Sequence, residues 1–131
     1  MKIVIDAFGG DNAPNCNIDG ALLALEKFKD ITIVLVGDVD KMNPILATKK
    51  YDKTRLELVD AKDIITNDDV PTVAIRTKKE SSLVKALDYL KTNEDCLGLV
   101  SAGSTGAVLT GGFLKIGRMK GVSRPALAPL L

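Results

Sequence analysis

Histidine and tryptophan are absent from this sequence, and cysteine occurs only as Cys16 and Cys96. Without histidine, a Ser-His-Asp triad and a zinc site built on imidazole are excluded within these residues. The two cysteines lie far apart and show no CxxC spacing. Their count allows one disulfide, but nothing in the pattern reads as a secreted scaffold. Three Phe and two Tyr leave little surface on which bases could stack. Lys and Arg number 18 against 17 Asp and Glu, so no net field draws nucleic acid or an anionic membrane. A nucleic-acid partner is therefore not expected. No apolar run reaches the length of a signal peptide core or a membrane span, and the expected location is cytoplasmic.

What is present is ordinary globular material: 131 residues, 46% hydrophobic and 27% charged, enough for one domain with a real core. Short apolar runs alternate with helical patterns. Lys2 to Asp6 is a strand, closed by Gly9-Gly10. Ile18, Ala21, Leu22, Leu25 and Phe28 then fall on one helical face. Ile31 to Val36 is the second strand. Asp40 to Lys49 is a weaker helix that requires Pro44 in its first turn. Leu56 to Val59 is the third strand, and Asp60 to Val70 reads as a long polar loop. Ser81 or Ser82 caps a helix carrying Leu83, Ala86, Leu87 and Leu90. Leu97 to Val100 is the fourth strand, and a small-residue helix runs from about Thr105 to Ile116. The expected fold is α/β, a three-layer α/β/α sandwich with a mostly parallel, Rossmann-like sheet. Residues 126–131 read as the start of another strand, so the single domain over 1–131 is expected to be the N-terminal part of a larger fold.

Three segments carry chemistry. Ser101-Ala-Gly-Ser-Thr-Gly-Ala107 comes directly after a strand and opens a helix. Ligands in open parallel sheets bind beyond the carboxyl ends of strands, and a helix N-terminus offers unpaired N–H groups to an anion. Gly103 and Gly106 let backbone come close, and Ser101, Ser104 and Thr105 add hydroxyls, a set suited to a tetrahedral oxyanion. Neither the lysine of a Walker loop nor a GxGxxG spacing is present. The same residues also fit a tight turn whose small side chains serve only helix–sheet packing, and composition leaves both readings open. Asp6 to Pro14 lies at another strand end. Asp6, Gly10, Asp11 and Asn12 are candidates for lining the same cleft, with a locally hydrogen-bonded turn as the plainer alternative. Arg76, Lys78 and Lys79 form a basic cluster, either solvated surface or a contact for phosphate or an acidic partner. Gly111 and Gly112, within a helix, call for close packing there, for example against a second subunit.

Taken in order, these segments resemble the PlsX family of acyl-ACP:phosphate acyltransferases. Ile3-Val-Ile-Asp-Ala-Phe-Gly-Gly-Asp-Asn-Ala-Pro14 resembles the family's VDAMGGDHAP opening. Asp68-Asp-Val-Pro71 with Arg76-Thr-Lys-Lys-Glu-Ser-Ser82 resembles its DD-x-P and R-x-KK-x-SS segment. Val100-Ser-Ala-Gly-Ser-Thr-Gly-Ala107 resembles VSAGNTGA, and Gly117-Arg118 with Arg124-Pro-Ala126 resembles the family's stretch after that motif. Asn12 stands where the family has His, removing a titratable group, and Ser104 stands where it has Asn. Family members are more than twice this length. The resemblance implies transfer of a fatty acyl group from acyl carrier protein to inorganic phosphate, giving acyl phosphate for phospholipid synthesis, with no metal or organic cofactor. A homodimer and transient membrane association are further implications. Phosphate-binding roles for Ser101, Gly103, Ser104, Thr105 and Gly106 are implied by it as well, whereas catalytic residues are unassigned. The rival readings are a short-chain acyltransferase or dehydrogenase-like enzyme on a related scaffold, and a phosphate-binding module or inactive fragment.

Overall fold

The structure, a computed structural model, describes residues 1–126 and 128. Four strands, β1 (Lys2–Asp6), β2 (Thr32–Gly37), β3 (Leu56–Asp60) and β4 (Cys96–Val100), form one parallel sheet in the order β3-β2-β1-β4. The helices are α1 (Asn15–Lys27), α2 (Val39–Ala47), α3 (Pro71–Thr77), α4 (Ser82–Thr92) and α5 (Thr105–Gly111), the last running on into a π-helical turn, Gly112–Ile116.

Alternation along the strands builds three layers. Ile33 and Leu35 of β2 point to the face covered by α1 and α2, where Ile18, Ala21, Leu25, Met42 and Leu46 complete the core. Val4, Val34 and Val36 point to the other face, against Ala86 of α4. Beyond them α3, α4 and α5 pack on one another through Ile75, Leu83, Leu87 and Ala107. These strands are apolar on both faces, as a sheet sandwiched between helices requires. The expected α/β/α architecture is therefore the observed one.

Asp6 lies on the α4 face with the even-numbered residues of β1, and that register decides which side chains it meets. Helix α4 is tied to the sheet at its other end too. There Tyr89 donates to Glu57 (2.9 Å), and Lys2 pairs with Glu57 (3.0 Å) and Asp95 (3.4 Å). Hydrogen bonding to Glu57 and then Tyr89 holds the Lys2 ammonium above its usual range. Burial, then the Glu57 bond, raises the Tyr89 phenol.

Several local expectations are corrected. Pro44 sits beyond the first turn of α2; the helix is short, and Pro44 and Asp40, four residues back, are both exposed, so the lost helical bond falls on the solvent side. Phe28 is not on the buried stripe of α1: it is the residue after the helix and is 48% exposed. Helix α3 lies beyond the reach of the sequence pattern, because seven residues give too little periodicity. Its one signal is Pro71, which takes the first helical position where a missing N–H costs nothing. The close packing expected at Gly111 is found within this chain. A β-carbon there would stand 2.4 Å from Leu87 Cδ1 and 3.1 Å from Ile75 Cδ1, whereas one at Gly112 would meet nothing within 4 Å. Of the strand expected over 126–131, residues 127 and 129–131 lie outside the described residues, and Ala126 and Ala128 are in no regular element.

Candidate functional site

The strand order places the site. From β1 the chain moves outward through β2 to β3, and β4 is then added on the other side of β1. The crevice between β1 and β4 is thus a topological switch point, the position where open α/β sheets hold ligands beyond the carboxyl ends of their strands. The two loops entering it are the two glycine-bearing segments, Ala7–Pro14 after β1 and Ser101–Ser104 after β4.

Asp6 ties them together. It is 2% exposed, and both carboxylate oxygens are engaged. Oδ1 accepts from Ser82 Oγ (2.5 Å) and Phe8 N (3.3 Å), and Oδ2 accepts from Ser101 Oγ (2.8 Å). Ser101 Oγ in turn accepts from Gly103 N at 3.2 Å. The loops approach so closely that a β-carbon on Gly9 would lie 2.6 Å from Asp6 Oδ2, 2.8 Å from Ser101 Oγ and 2.9 Å from Gly103 N. Gly10 has φ +98°, a left-handed conformation natural to glycine. Asn17 of α1 ties down the first loop from the other side, its amide nitrogen reaching the carbonyls of Ala7 (3.0 Å) and Gly9 (2.8 Å).

Between the loops lies a small cleft of about 160 Å³, lined by Phe8, Gly10, Asp11, Ile64, Thr66, Gly103 and Ser104 among others. That is below the roughly 300–1,000 Å³ of sites for drug-sized ligands and suits a small anion. The N–H groups of Thr105 and Gly106 open α5 and have no partner within the helix. Ser104 caps it, its Oγ accepting from Ala107 N at 3.4 Å.

The candidate residues separate by position. Gly10, Asp11, Gly103 and Ser104 line the cleft. Ser101 and Asp6 stand behind it, bonded to each other, so the Ser101 hydroxyl proton is already given away. Asn12 is exposed, and its carbonyl, ahead of α1, accepts from Cys16 N. Gly106 is small because Pro71 of α3 stands where its side chain would be, Cγ at 3.1 Å. Thr105 is exposed on the α5 side, beside Ser101 and Val108.

The basic cluster is not gathered at the cleft. Lys78 pairs with Asp69 (2.8 Å) and donates to the carbonyl of Ile64 (2.9 Å), bracing the 64–69 segment that forms one cleft wall. The Lys78 bond is the largest influence holding the Asp69 carboxyl below its ordinary range. Arg76 lines a separate apolar groove with Thr72, Phe113 and Arg124, and Lys79 is exposed. A larger concavity, about 570 Å³, lies between α1 and the Lys49–Arg55 segment. It sits at the opposite end of the strands, and its Lys49 and Arg55 are already paired with Asp19 and Asp52. Sequence reasoning missed Ser82, Asn17 and the cleft wall at 64–67. Only Ser82 carried a signal, as a serine at a helix start.

Known proteins share this arrangement of segments along the whole chain. A family model described as fatty acid synthesis protein matches residues 1–131. A phosphate acyltransferase of Clostridium perfringens strain SM101 is 48% identical over the whole chain, which covers 38% of that relative. One from Clostridium beijerinckii is 49% identical, with 39% of its length covered, and one from Thermoanaerobacter pseudethanolicus is 46% identical, with 38% covered. The chain thus spans well under half the length of the curated relatives it matches.

Proposed function

The chain belongs to the fatty acid synthesis protein family, and on that premise we propose that it forms the phosphate-holding part of a phosphate acyltransferase acting on acyl carrier protein thioesters. The observation that carries the reading is the meeting of the two glycine-bearing loops around Asp6 at the β1/β4 switch point.

In the proposed reaction an oxygen of inorganic phosphate attacks the thioester carbonyl, the C–S bond breaks, and the carrier thiol leaves with a proton. The products are acyl phosphate and free carrier protein. Phosphate is already anionic near neutral pH, so the work falls on positioning it and on stabilising the charge that develops on the carbonyl oxygen. The N–H groups of Thr105 and Gly106, with the Ser104 and Thr105 hydroxyls, hold the phosphate. Gly10 and Asp11 form the facing wall, Gly103 lines the cleft beside Ser104, and Ser101 shapes the loop from behind. The acyl phosphate serves phospholipid synthesis. A cytoplasmic location, a homodimer and transient membrane contact belong to the same reading and rest on the resemblance of the motifs. Among the described residues no helix is long and apolar enough to cross a membrane.

The test is acyl phosphate formation from acyl carrier protein thioester and inorganic phosphate. It compares the chain alone with the chain joined to the part of the C. perfringens relative beyond the matched region. Turnover that a Ser104→Ala, Thr105→Ala double variant lowers by at least about 100-fold, in line with loss of oxyanion-type donors, supports the reading. Turnover equal in the variant removes the loop from the mechanism. Turnover only in the joined protein assigns this chain the binding half of the site.

A further inference from the structure

We propose that Ser82, at the start of α4 and outside the cleft, is a positioning residue for the phosphate loop, acting through Asp6 and Ser101. The proposal rests on the phosphate reading of that loop and adds to it a residue to which no role attaches otherwise.

Ser82 is a fixed point. It is 2% exposed, and its backbone N–H donates to the carbonyl of Asp63 at 3.0 Å. Its neighbour Ser81 caps the helix by accepting from Val84 N. From there a chain of hydrogen bonds, centred on Asp6, links Ser82 to the cleft. Ser82 O–H donates to Asp6 Oδ1, Ser101 O–H donates to Asp6 Oδ2, and Gly103 N–H donates to Ser101 Oγ. Each hydroxyl has one proton to give, so both serines spend theirs on Asp6, and Ser101 Oγ is left to accept from Gly103 N–H. Neither Asp6 nor Ser82 lines the cleft, so neither is a ligand contact.

The physical consequence turns on Asp6. A buried carboxylate tolerates burial only with its oxygens hydrogen-bonded. Without the Ser82 hydroxyl, Oδ1 keeps only the longer contact from Phe8 N, at 3.3 Å. The carboxylate then rotates to recover a donor, Oδ2 moves with it, and the Ser101 hydroxyl moves in turn. Gly103 and the residues after it lose their register against Gly10. Preorganised donors act only in the right geometry, and for a reacting group a misplacement of about 1 Å costs on the order of 100-fold in rate.

The adjacent serines provide the test. Ser82→Ala removes the bond to Asp6, while Ser81→Ala removes the helix cap without touching Asp6. In the intact chain, affinity for inorganic phosphate is measured by titration, amide exchange at Gly103 by NMR, and stability by thermal unfolding. The expected result is that Ser82→Ala weakens phosphate at least tenfold and speeds Gly103 exchange, whereas Ser81→Ala lowers stability and leaves both unchanged. Unchanged Gly103 exchange in Ser82→Ala, or equal changes in Ser81→Ala, overturns the proposal. Should Ser82→Ala not fold, Ser82→Cys, close in shape with a weaker donor, carries the same expectation and the same refutation. If the unaltered chain does not bind phosphate, the phosphate reading falls, and Gly103 exchange alone decides whether Ser82 positions the loop.

Discussion

Replacing Gly9 with alanine concentrates the geometry of the site into one methyl group. Gly9 has no positive φ, so alanine meets no backbone objection, and any penalty comes from what the new carbon touches. It would lie 2.6 Å from Asp6 Oδ2, 2.8 Å from Ser101 Oγ and 2.9 Å from Gly103 N, distances at which something must shift. Those three atoms make two hydrogen bonds, Ser101 to Asp6 and Gly103 to Ser101. A bond to a charged group contributes about 1.5–3 kcal/mol and a neutral one about 0.5–1.5 kcal/mol, so forcing them apart costs about 2–4.5 kcal/mol. For a domain of this size that corresponds to a fall in Tm of about 10 °C. Gly20→Ala is the counterpart. Gly20 lies inside α1 with nothing within 4 Å of a β-carbon, and alanine there stabilises by about 0.5–1 kcal/mol. Urea unfolding followed by circular dichroism measures both. A Gly9→Ala chain within about 0.5 kcal/mol of the parent, roughly the scatter of neutral surface changes, would show that the two loops are not held together as described.

Gly111→Ala drives a carbon to 2.4 Å from Leu87 Cδ1 and costs about 1–3 kcal/mol by overpacking, read in the same urea series; a neutral result would mean that α5 and α4 do not pack so closely. Gly10→Ala is destabilising by a different route, because its φ of +98° is strained for an L-residue and Ala102 O would stand 2.8 Å away, and its thermal unfolding falls below that of the parent. For Asp69, a folded pKa held below the unfolded value near about 3.9 means stability present above that pH and lost as pH falls through the folded value. Lys78→Met, which removes the largest cause of that shift, therefore lowers stability at neutral pH and makes the acid loss below about pH 4 shallower, as measured by unfolding midpoint against pH. An unchanged acid limb would contradict the Lys78–Asp69 pairing.

The fold was legible because strands buried on both faces read as plain apolar runs and the helices between them are periodic. Ile18, Ala21 and Leu25 announced α1, and the Leu83–Ala86–Leu87 pattern announced α4, with its cap narrowed to Ser81 or Ser82, of which Ser81 is the cap. Helix α3 and the placement of Pro44 were not legible, since seven residues show no period and a proline's tolerance depends on whether water reaches the freed carbonyl. For the site, spacing showed which loops end strands but not which strands are neighbours. The juxtaposition of Gly9 with Gly103 exists only because β4 adds beside β1. For the same reason Ser82, separated from Asp6 by most of the chain, gave no sign of their hydrogen bond. The basic cluster shows the opposite: Arg76, Lys78 and Lys79 are neighbours in sequence, yet one braces a cleft wall, one lines another groove and one faces solvent.

Titrating inorganic phosphate into the isotopically labelled chain and tracking every backbone amide addresses the proposed function most directly. Saturable shifts centred on Gly10 and on Gly103 to Gly106 are the predicted result. Shifts confined to Arg76 and Lys79, or none at the two loops, would contradict it.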